Sequence, residues 1–407
     1  MTASIRFSML LFLARLAPSL AGVGPEPSRV GQPLERVWQV EAVADSIYFH
    51  TGPLAALSAP AFIEEIPRSD GLRWIRMLRD AEADSPAGEV LRESALSQLL
   101  SVELQRTCSE VGAADPLLCS MLPAMRAMGA PLSPKDVVEI AAAERFRAAG
   151  AAPLKPPASL GLVATVDSIR MVAEEVLGGA FPPLRVGIAE SRLSPLGQYR
   201  PAGQGQPAEL LLSVRLPRFD HRLPIILAHE GHFGHHAEFG FREYTSQRHP
   251  LIADIGWLGW SEGWATFGEE IAAHAAPDLI DALVFRGHRQ RLASELLAAA
   301  RLVEGAWSID EASDTLADRL GLPADASDAV ARRIAARPYK TYAYLLGAMA
   351  WREAVGGRMS LARDFLNRGP APVTILCAHL AAKGHSPAPP ESRTFCSRVA
   401  RARALLL

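Results

Sequence analysis

The feature that most restricts the fold of this chain is a run of eight residues, His229 to His236, which contains four histidines and one glutamate. The run reads HEGHFGHH and follows the apolar stretch LPIILA, so we expect it to lie on a partly buried helix. Pro224 suits the first turn of such a helix, because the N–H that proline lacks would have no intrahelical partner there. Burying several imidazoles is costly unless they meet a charge or a metal ion. The run therefore predicts a metal-binding helix.

The second histidine ligand stays open between three residues, which are His232, His235 and His236. Zinc peptidase helices often place two histidines at positions i and i+4, but position i+4 from His229 is Phe233. On an ideal helix His235 points about 120° away from His229. His236 returns to the same face as His229, but it lies about 10 Å from it along the helix axis. Gly234 can adopt backbone angles that end the helix and swing the following histidine back. His232, at position i+3 from His229, needs no such distortion of the helix.

A second cluster, WLGWSEGWATFGEE at residues 257–270, supplies the third ligand that we expect. Glu262 lies beyond a turn-like stretch, so a second helix can lie against the first and offer this carboxylate. Two histidines and one glutamate, with a fourth position open to water, form a recurring catalytic zinc shell. Glu230 is then placed to act as a general base. Three tryptophans at helical spacing are expected in the core, namely Trp257, Trp260 and Trp264.

Most of the chain has the composition and apolar spacing of helices, which predicts a mainly α fold. The expected helices are Leu34–Tyr48, Pro86–Leu104, Pro134–Ala148, Thr165–Leu177, Asp278–Val303 and Asp328–Ala336. Strand signals lie at Leu184–Ile188 and Glu209–Leu216, and the Gly-rich segment between them predicts a hairpin. We therefore expect a small β-hairpin or sheet beside the metal-binding helix.

The first residues bear on domain organisation. Residues 1–22 are a candidate signal peptide, but Arg15 limits the apolar run to eight residues, which equally suits a first helix or a wrongly assigned start. Residues 23–33 have the composition of a linker. Residues 34–407 are expected to form a single helical domain. Its two halves are an N-terminal helical half, 34–180, and a metal-binding half, 181–407.

Cysteines and charge bear on location and partners. The four cysteines fall into two sequence-local pairs, Cys108 with Cys119 and Cys377 with Cys396, which suit disulfides in an oxidising compartment. We expect a periplasmic or extracellular protein, with a cytoplasmic protein carrying four free thiols as the alternative. Lys and Arg total 42 against 44 for Asp and Glu, which argues against a nucleic-acid partner. We also expect no transmembrane segment.

The two clusters resemble the bacterial family known as domain of unknown function 885. The family pattern His-Glu-x-x-Pro-Gly-His-His matches residues 229–236, with Phe233 in place of proline, and Glu-Gly-Trp-Ala matches residues 262–265. The segment PYKTYAYLLG at 338–347 resembles a further family stretch, in which Tyr344 matches the family tyrosine. The resemblance spans about residues 180–380. It implies a helical zincin-like metallopeptidase fold, akin to that of dipeptidyl carboxypeptidases.

The resemblance also implies a zinc-dependent peptidase acting on short peptides. The residues that would carry it are His229, His235 or His236, and Glu262 for Zn²⁺, and Glu230 and Tyr344 for catalysis. In this interpretation Glu230 activates water, Tyr344 donates a hydrogen bond to the oxyanion, and strand 209–216 pairs with an extended peptide. The family's Val-Asp-x-Gly-x-His stretch is absent, and Leu345 replaces a family lysine. Two alternatives therefore stay open: an amidase or tailoring hydrolase with a non-peptide substrate, and a catalytically inactive metal-binding protein.

Overall fold

The structure is a computed structural model that describes ten segments of the chain. These are residues 68–81, 86–111, 119–149, 162–179, 181–189, 196–203, 206–213, 222–243, 257–382 and 395–406. The candidate signal peptide at 1–22, the linker at 23–33 and the expected helix Leu34–Tyr48 lie outside them.

The fold is mainly helical, with one small sheet in the middle of the chain. The helices before the sheet are α1 (Arg68–Asp80), α2 (Pro86–Val111), α3 (Leu122–Met128), α4 (Pro134–Ala149) and α5 (Leu162–Leu177). The strands are β1 (Leu184–Ala189), β2 (Gly197–Arg200) and β3 (Ala208–Ser213). The helices after the sheet are α6 (Leu223–Glu230), α7 (His235–Glu243), α8 (Leu258–Ala275), α9 (Ala282–Val303), α10 (Ile309–Leu320), α11 (Ala324–Ala336), α12 (Pro338–Val355), α13 (Met359–Arg368), α14 (Val373–Ala382) and α15 (Phe395–Leu406).

The expected helices from residue 86 onward are present, and they differ from expectation mainly at their ends. The helix expected from Asp278 begins at Ala282 instead, because the Asp281 side chain accepts hydrogen bonds from the N–H groups of Leu283 and Val284. A carboxylate in that position satisfies two backbone donors that have no partner within the helix. Asp281 therefore sets the boundary.

The sheet corrects the expected hairpin. β1 and β3 pair in parallel, with Leu184 opposite Ala208, and β2 pairs antiparallel with β3, so the strand order is β1-β3-β2. The Gly-rich segment expected to be a connecting loop contains β2, and this strand occupies the antiparallel position beside β3. The hairpin is therefore formed by β2 and β3, while β1 takes the other edge.

The core is centred on the packing of α8 against α12. A side chain on Gly263 or Gly347 would overlap the backbone of the opposite helix, so these glycines allow the helix axes to approach closely. The tryptophans expected in the core are indeed buried, at Trp257, Trp260 and Trp264, and they are joined by Trp351. This close contact between α8 and α12 fixes the position of α8, and therefore of Glu262, within the fold.

Two disulfides link cysteines that are close together in the sequence. Cys108 bonds to Cys119, and Cys377 bonds to Cys396, as the spacing predicted. The second bond joins α14 to α15.

Among the described helices, none combines the length and the apolar composition needed to cross a bilayer.

Candidate metal centre

Three side chains on three helices converge on one point. His229 on α6, His235 on α7 and Glu262 on α8 each offer one donor atom, and these atoms all lie within 4.8 Å of one another. Glu262 Oε2 lies 3.3 Å from His229 Nε2 and 3.6 Å from His235 Nε2. Zinc bonds of about 2.1 Å in a tetrahedron place ligand atoms about 3.4 Å apart. The three donors therefore fit one tetrahedral ion after only a small inward movement.

A sharp turn between α6 and α7 creates this convergence. The single helix expected over 223–236 is divided, because α6 ends at Glu230 and residues 231–234 form turns. A Cβ on Gly234 would overlap the carbonyl oxygen of His229. Gly234 does not have a positive φ, so this close approach explains the glycine, rather than the unusual backbone angles that we expected. The turn brings the rings of His229 and His235 to 5.0 Å between centroids.

His236 does not reach the cluster, which corrects the expectation that it could serve as the second ligand. Its Nε2 donates to the carbonyl oxygen of Pro182 at 2.9 Å, and its Nδ1 lies 3.2 Å from the hydroxyl of Tyr199. Successive helical residues differ by about 100° in direction, so His236 must point away when His235 points inward. His232 packs edge-on against His236, and burial lowers its pKa to about 3. Neither residue belongs to the group of converging donor atoms among the described residues.

A carboxylate lies behind His229 and is hydrogen-bonded to it. Glu269 Oε1 accepts a hydrogen bond from His229 Nδ1 at 2.7 Å, and Glu269 Oε2 accepts one from His288 Nε2 at 2.8 Å. Histidines that bind metals usually donate their second ring N–H in this way, which fixes the ring and leaves the other nitrogen free for the ion. The arrangement therefore directs Nε2 of His229 toward the cluster.

His235 has the same kind of support from a carboxylate. Glu238 Oε2 lies 3.3 Å from His235 Nδ1 and accepts a hydrogen bond of 2.6 Å from the hydroxyl of Ser261. Sequence analysis missed both supporting carboxylates. The available signal was their helical spacing, since Glu238 lies three residues after His235, and Glu269 lies two turns after Glu262.

The charges in the cluster suit a divalent cation. Burial opposes ionisation of Glu262, but hydrogen bonds from His229 and His235 hold its pKa well below the usual range. Burial opposes protonation of His235, but Glu238 and Glu262 outweigh it and raise the pKa to about 9. Glu262 and Glu269 raise the pKa of His229 in the same way. The negative charge of the carboxylates is therefore balanced by protons on the imidazoles. A metal ion can supply this positive charge instead, because it binds neutral imidazoles.

Glu230 and Tyr344 border the cluster. Glu230 Oε2 accepts a hydrogen bond of 2.9 Å from the backbone N–H of Tyr199 in β2. The ring of Tyr344 lies 6.0 Å from that of His229. Burial and the negative charges of Glu262 and Glu230 raise the pKa of Tyr344, so its hydroxyl stays protonated at neutral pH and can donate a hydrogen bond.

β2, rather than β3, is the strand beside the site. We expected strand 209–216 to pair with a peptide, but β1 and β2 occupy both edges of β3. Ser213 donates its N–H to Leu196 of the neighbouring segment, so the N–H groups of Gly197 and Tyr199 point away from β3. A Cβ on Gly197 would overlap the side chain of Ile226 and lie very close to that of Glu230, so this glycine packs directly against α6. The outward edge of β2 therefore borders α6 and the cluster.

The turn glycine gives a direct stability test of this geometry. We expect Gly234→Ala to lower the free energy of unfolding by about 1–3 kcal/mol, because the new methyl group must displace the His229 carbonyl. Urea unfolding followed by circular dichroism measures the change. Gly287→Ala is the control, since that helical glycine on α9 has open space around it and should change stability by less than about 1 kcal/mol. Equal effects at the two positions would contradict the close approach.

Comparison with known proteins identifies the family. The model of a family described as a bacterial protein of unknown function, DUF885, matches residues 174–378, just over half of the chain. The chain belongs to this family. The DUF885 match contains the sheet, the whole cluster and Tyr344, so it agrees with the resemblance seen in the motifs.

Two solved structures align with most of the chain. The crystal structure described as a "putative lipoprotein" from Colwellia psychrerythraea aligns with 86% of this chain and 74% of its own, with a TM-score of 0.55 and 15% identity. A "putative lipoprotein of unknown function" from Shewanella oneidensis aligns with 92% of this chain and 77% of its own, with a TM-score of 0.49 and 13% identity. At 15% identity, the Colwellia protein shows only that the DUF885 chain shares its fold. No curated protein matches the chain.

Proposed function

We propose that this protein is a zinc-dependent hydrolase, and specifically a peptidase acting on short peptides. The observation that carries the proposal is the convergence of His229, His235 and Glu262, with both imidazoles hydrogen-bonded from behind by carboxylates. Two histidines and a glutamate form a common catalytic zinc shell with an open fourth position. Zinc bound there would lower the pKa of a bound water and polarise the scissile carbonyl.

The residues around the cluster have distinct tasks in this proposal. Glu230 takes the proton from the attacking water and later delivers it to the leaving amine, and the Tyr199 N–H holds this carboxylate in place. Tyr344 donates its hydroxyl proton in a hydrogen bond to the developing oxyanion.

Short peptides fit the recessed position of the site. The side chains of His229 and Glu262 are only 14% and 16% exposed. A folded protein cannot bring a peptide bond to such a recessed group without local unfolding, whereas a short extended peptide can.

We also propose that the protein is exported. Its two disulfides are typical of oxidising compartments, and the Colwellia structure that shares its fold is described as a "putative lipoprotein".

Removal and return of zinc tests the proposed activity. We expect the purified protein to bind about one zinc ion per chain. A chelator should abolish hydrolysis of a library of short peptides, and added zinc should restore it. Zinc content is measured by mass spectrometry of the metal, and cleavage by mass spectrometry of the peptides. Full hydrolysis after complete metal removal would refute the proposal. Zinc binding with no cleavage would favour the inactive metal-binding alternative, and cleavage of non-peptide amides alone would favour the amidase.

A further inference from the structure

A second candidate binding site lies between α4, α9 and α10. These helices enclose a cleft of about 520 Å³ that shares no residue with the metal cluster. Ligand sites in proteins commonly have volumes of about 300–1,000 Å³, with mostly apolar walls and a few polar groups. The cleft agrees with both parts of that description.

Three arginines line the cleft, and its lining residues include no carboxylate. The arginines are Arg145 on α4, Arg301 on α9 and Arg319 on α10. Arg301 forms an ion pair of 3.0 Å with Glu304 outside the cleft. Nη1 of Arg319 is shielded from solvent and contacts no hydrogen-bond acceptor in the described part of the chain. Burial and the positive charge of Arg145 lower the pKa of Arg319, and the neighbouring Asp318 only partly offsets this. An anion in the cleft would relieve this unfavourable arrangement.

The remaining wall of the cleft is apolar. Its apolar lining includes Val138 and Ala141 on α4 and Ala293 and Leu297 on α9. Phe146, which also lines the cleft, is 85% exposed, the largest exposure among the large apolar side chains of the described residues. An exposed aromatic ring beside the three arginines offers contacts to an apolar group attached to an anion.

We propose that this cleft binds a small amphiphilic anion, with a carboxylate or phosphate group on the three arginines and a single apolar chain along α4 and α9. The arginine guanidinium presents planar paired donors that match either group. The site is independent of the metal centre, so it can be present whether or not the protein hydrolyses peptides.

Calorimetric titration of the full chain with decanoate, decyl phosphate and decanol, each below its micelle concentration, tests the proposal. We expect at least one of the two anions to bind, and the neutral alcohol to bind at least about tenfold more weakly. Arg319→Gln should weaken anion binding by about tenfold to hundredfold. Arg332→Gln is the control, because this exposed arginine pairs with Asp328 outside the cleft.

A second variant tests whether loss of binding in Arg319→Gln reflects misfolding. A second probe distinguishes binding of a small ligand from binding of a membrane. Ala142→Trp fills the cleft from an exposed position on α4 without removing a charge, and it should also weaken anion binding. Decanol binding as tightly as the anions, or anion binding unchanged in Ala142→Trp, would overturn the proposal. So would binding to phosphatidylglycerol vesicles with no binding of either single-chain anion.

Discussion

Replacing Glu230 with glutamine is expected to lower kcat for peptide hydrolysis by about 10²- to 10⁴-fold, which is the usual contribution of a general base. Glutamine has nearly the same shape, and its carbonyl oxygen can still accept the hydrogen bond from the Tyr199 N–H. It cannot take a proton from water at neutral pH. The substitution therefore removes the proton transfer and leaves the local structure in place.

The measurement for Glu230→Gln combines steady-state kinetics with zinc content. We expect zinc to stay bound, because Glu230 is not among the three converging donors. Glu209→Gln serves as the control, since it changes a partly exposed carboxylate on β3 that pairs with Arg200. Retention of wild-type activity by Glu230→Gln would remove this residue from the mechanism.

Substitution of Glu269 is expected to weaken zinc binding while keeping all three proposed ligands. We expect about a tenfold loss of affinity for Glu269→Gln and up to about a hundredfold loss for Glu269→Ala, the range typical of groups that orient metal ligands. The physical reason is the 2.7 Å hydrogen bond that fixes the ring of His229. Glutamine keeps an acceptor for this bond but loses the charge, whereas alanine loses both.

Competition with a chromogenic chelator measures these affinities. Glu270→Gln is a matched control, because Glu270 is the next residue on α8 but pairs with Arg352 instead of a histidine. It should lower stability without changing zinc affinity more than about twofold. Equal loss of zinc affinity in Glu269→Gln and Glu270→Gln would show that the effect reflects general damage to α8.

The helices were largely predictable from the sequence because each depends on local spacing of apolar residues and local caps. The tryptophan positions on α8 and the two disulfides followed from spacing in the same way. The sheet was less predictable, since β1 and β3 are parallel neighbours and β2 lies between them only in the sequence. Strand order depends on pairing between distant segments, which periodicity within one strand does not reveal.

The candidate site was likewise predictable from the sequence only in part. The eight-residue run and Glu262 were visible as a set of metal-binding residue types, and the sequence alone limited the second histidine to three candidates. Only the tertiary structure brought His235 to His229, through a turn that Gly234 permits by close backbone approach. It also placed Glu269 behind His229. Residue types and local spacing determine which groups a chain has available, but the direction of each side chain depends on how helices pack, and that packing is set by contacts between segments far apart in the sequence.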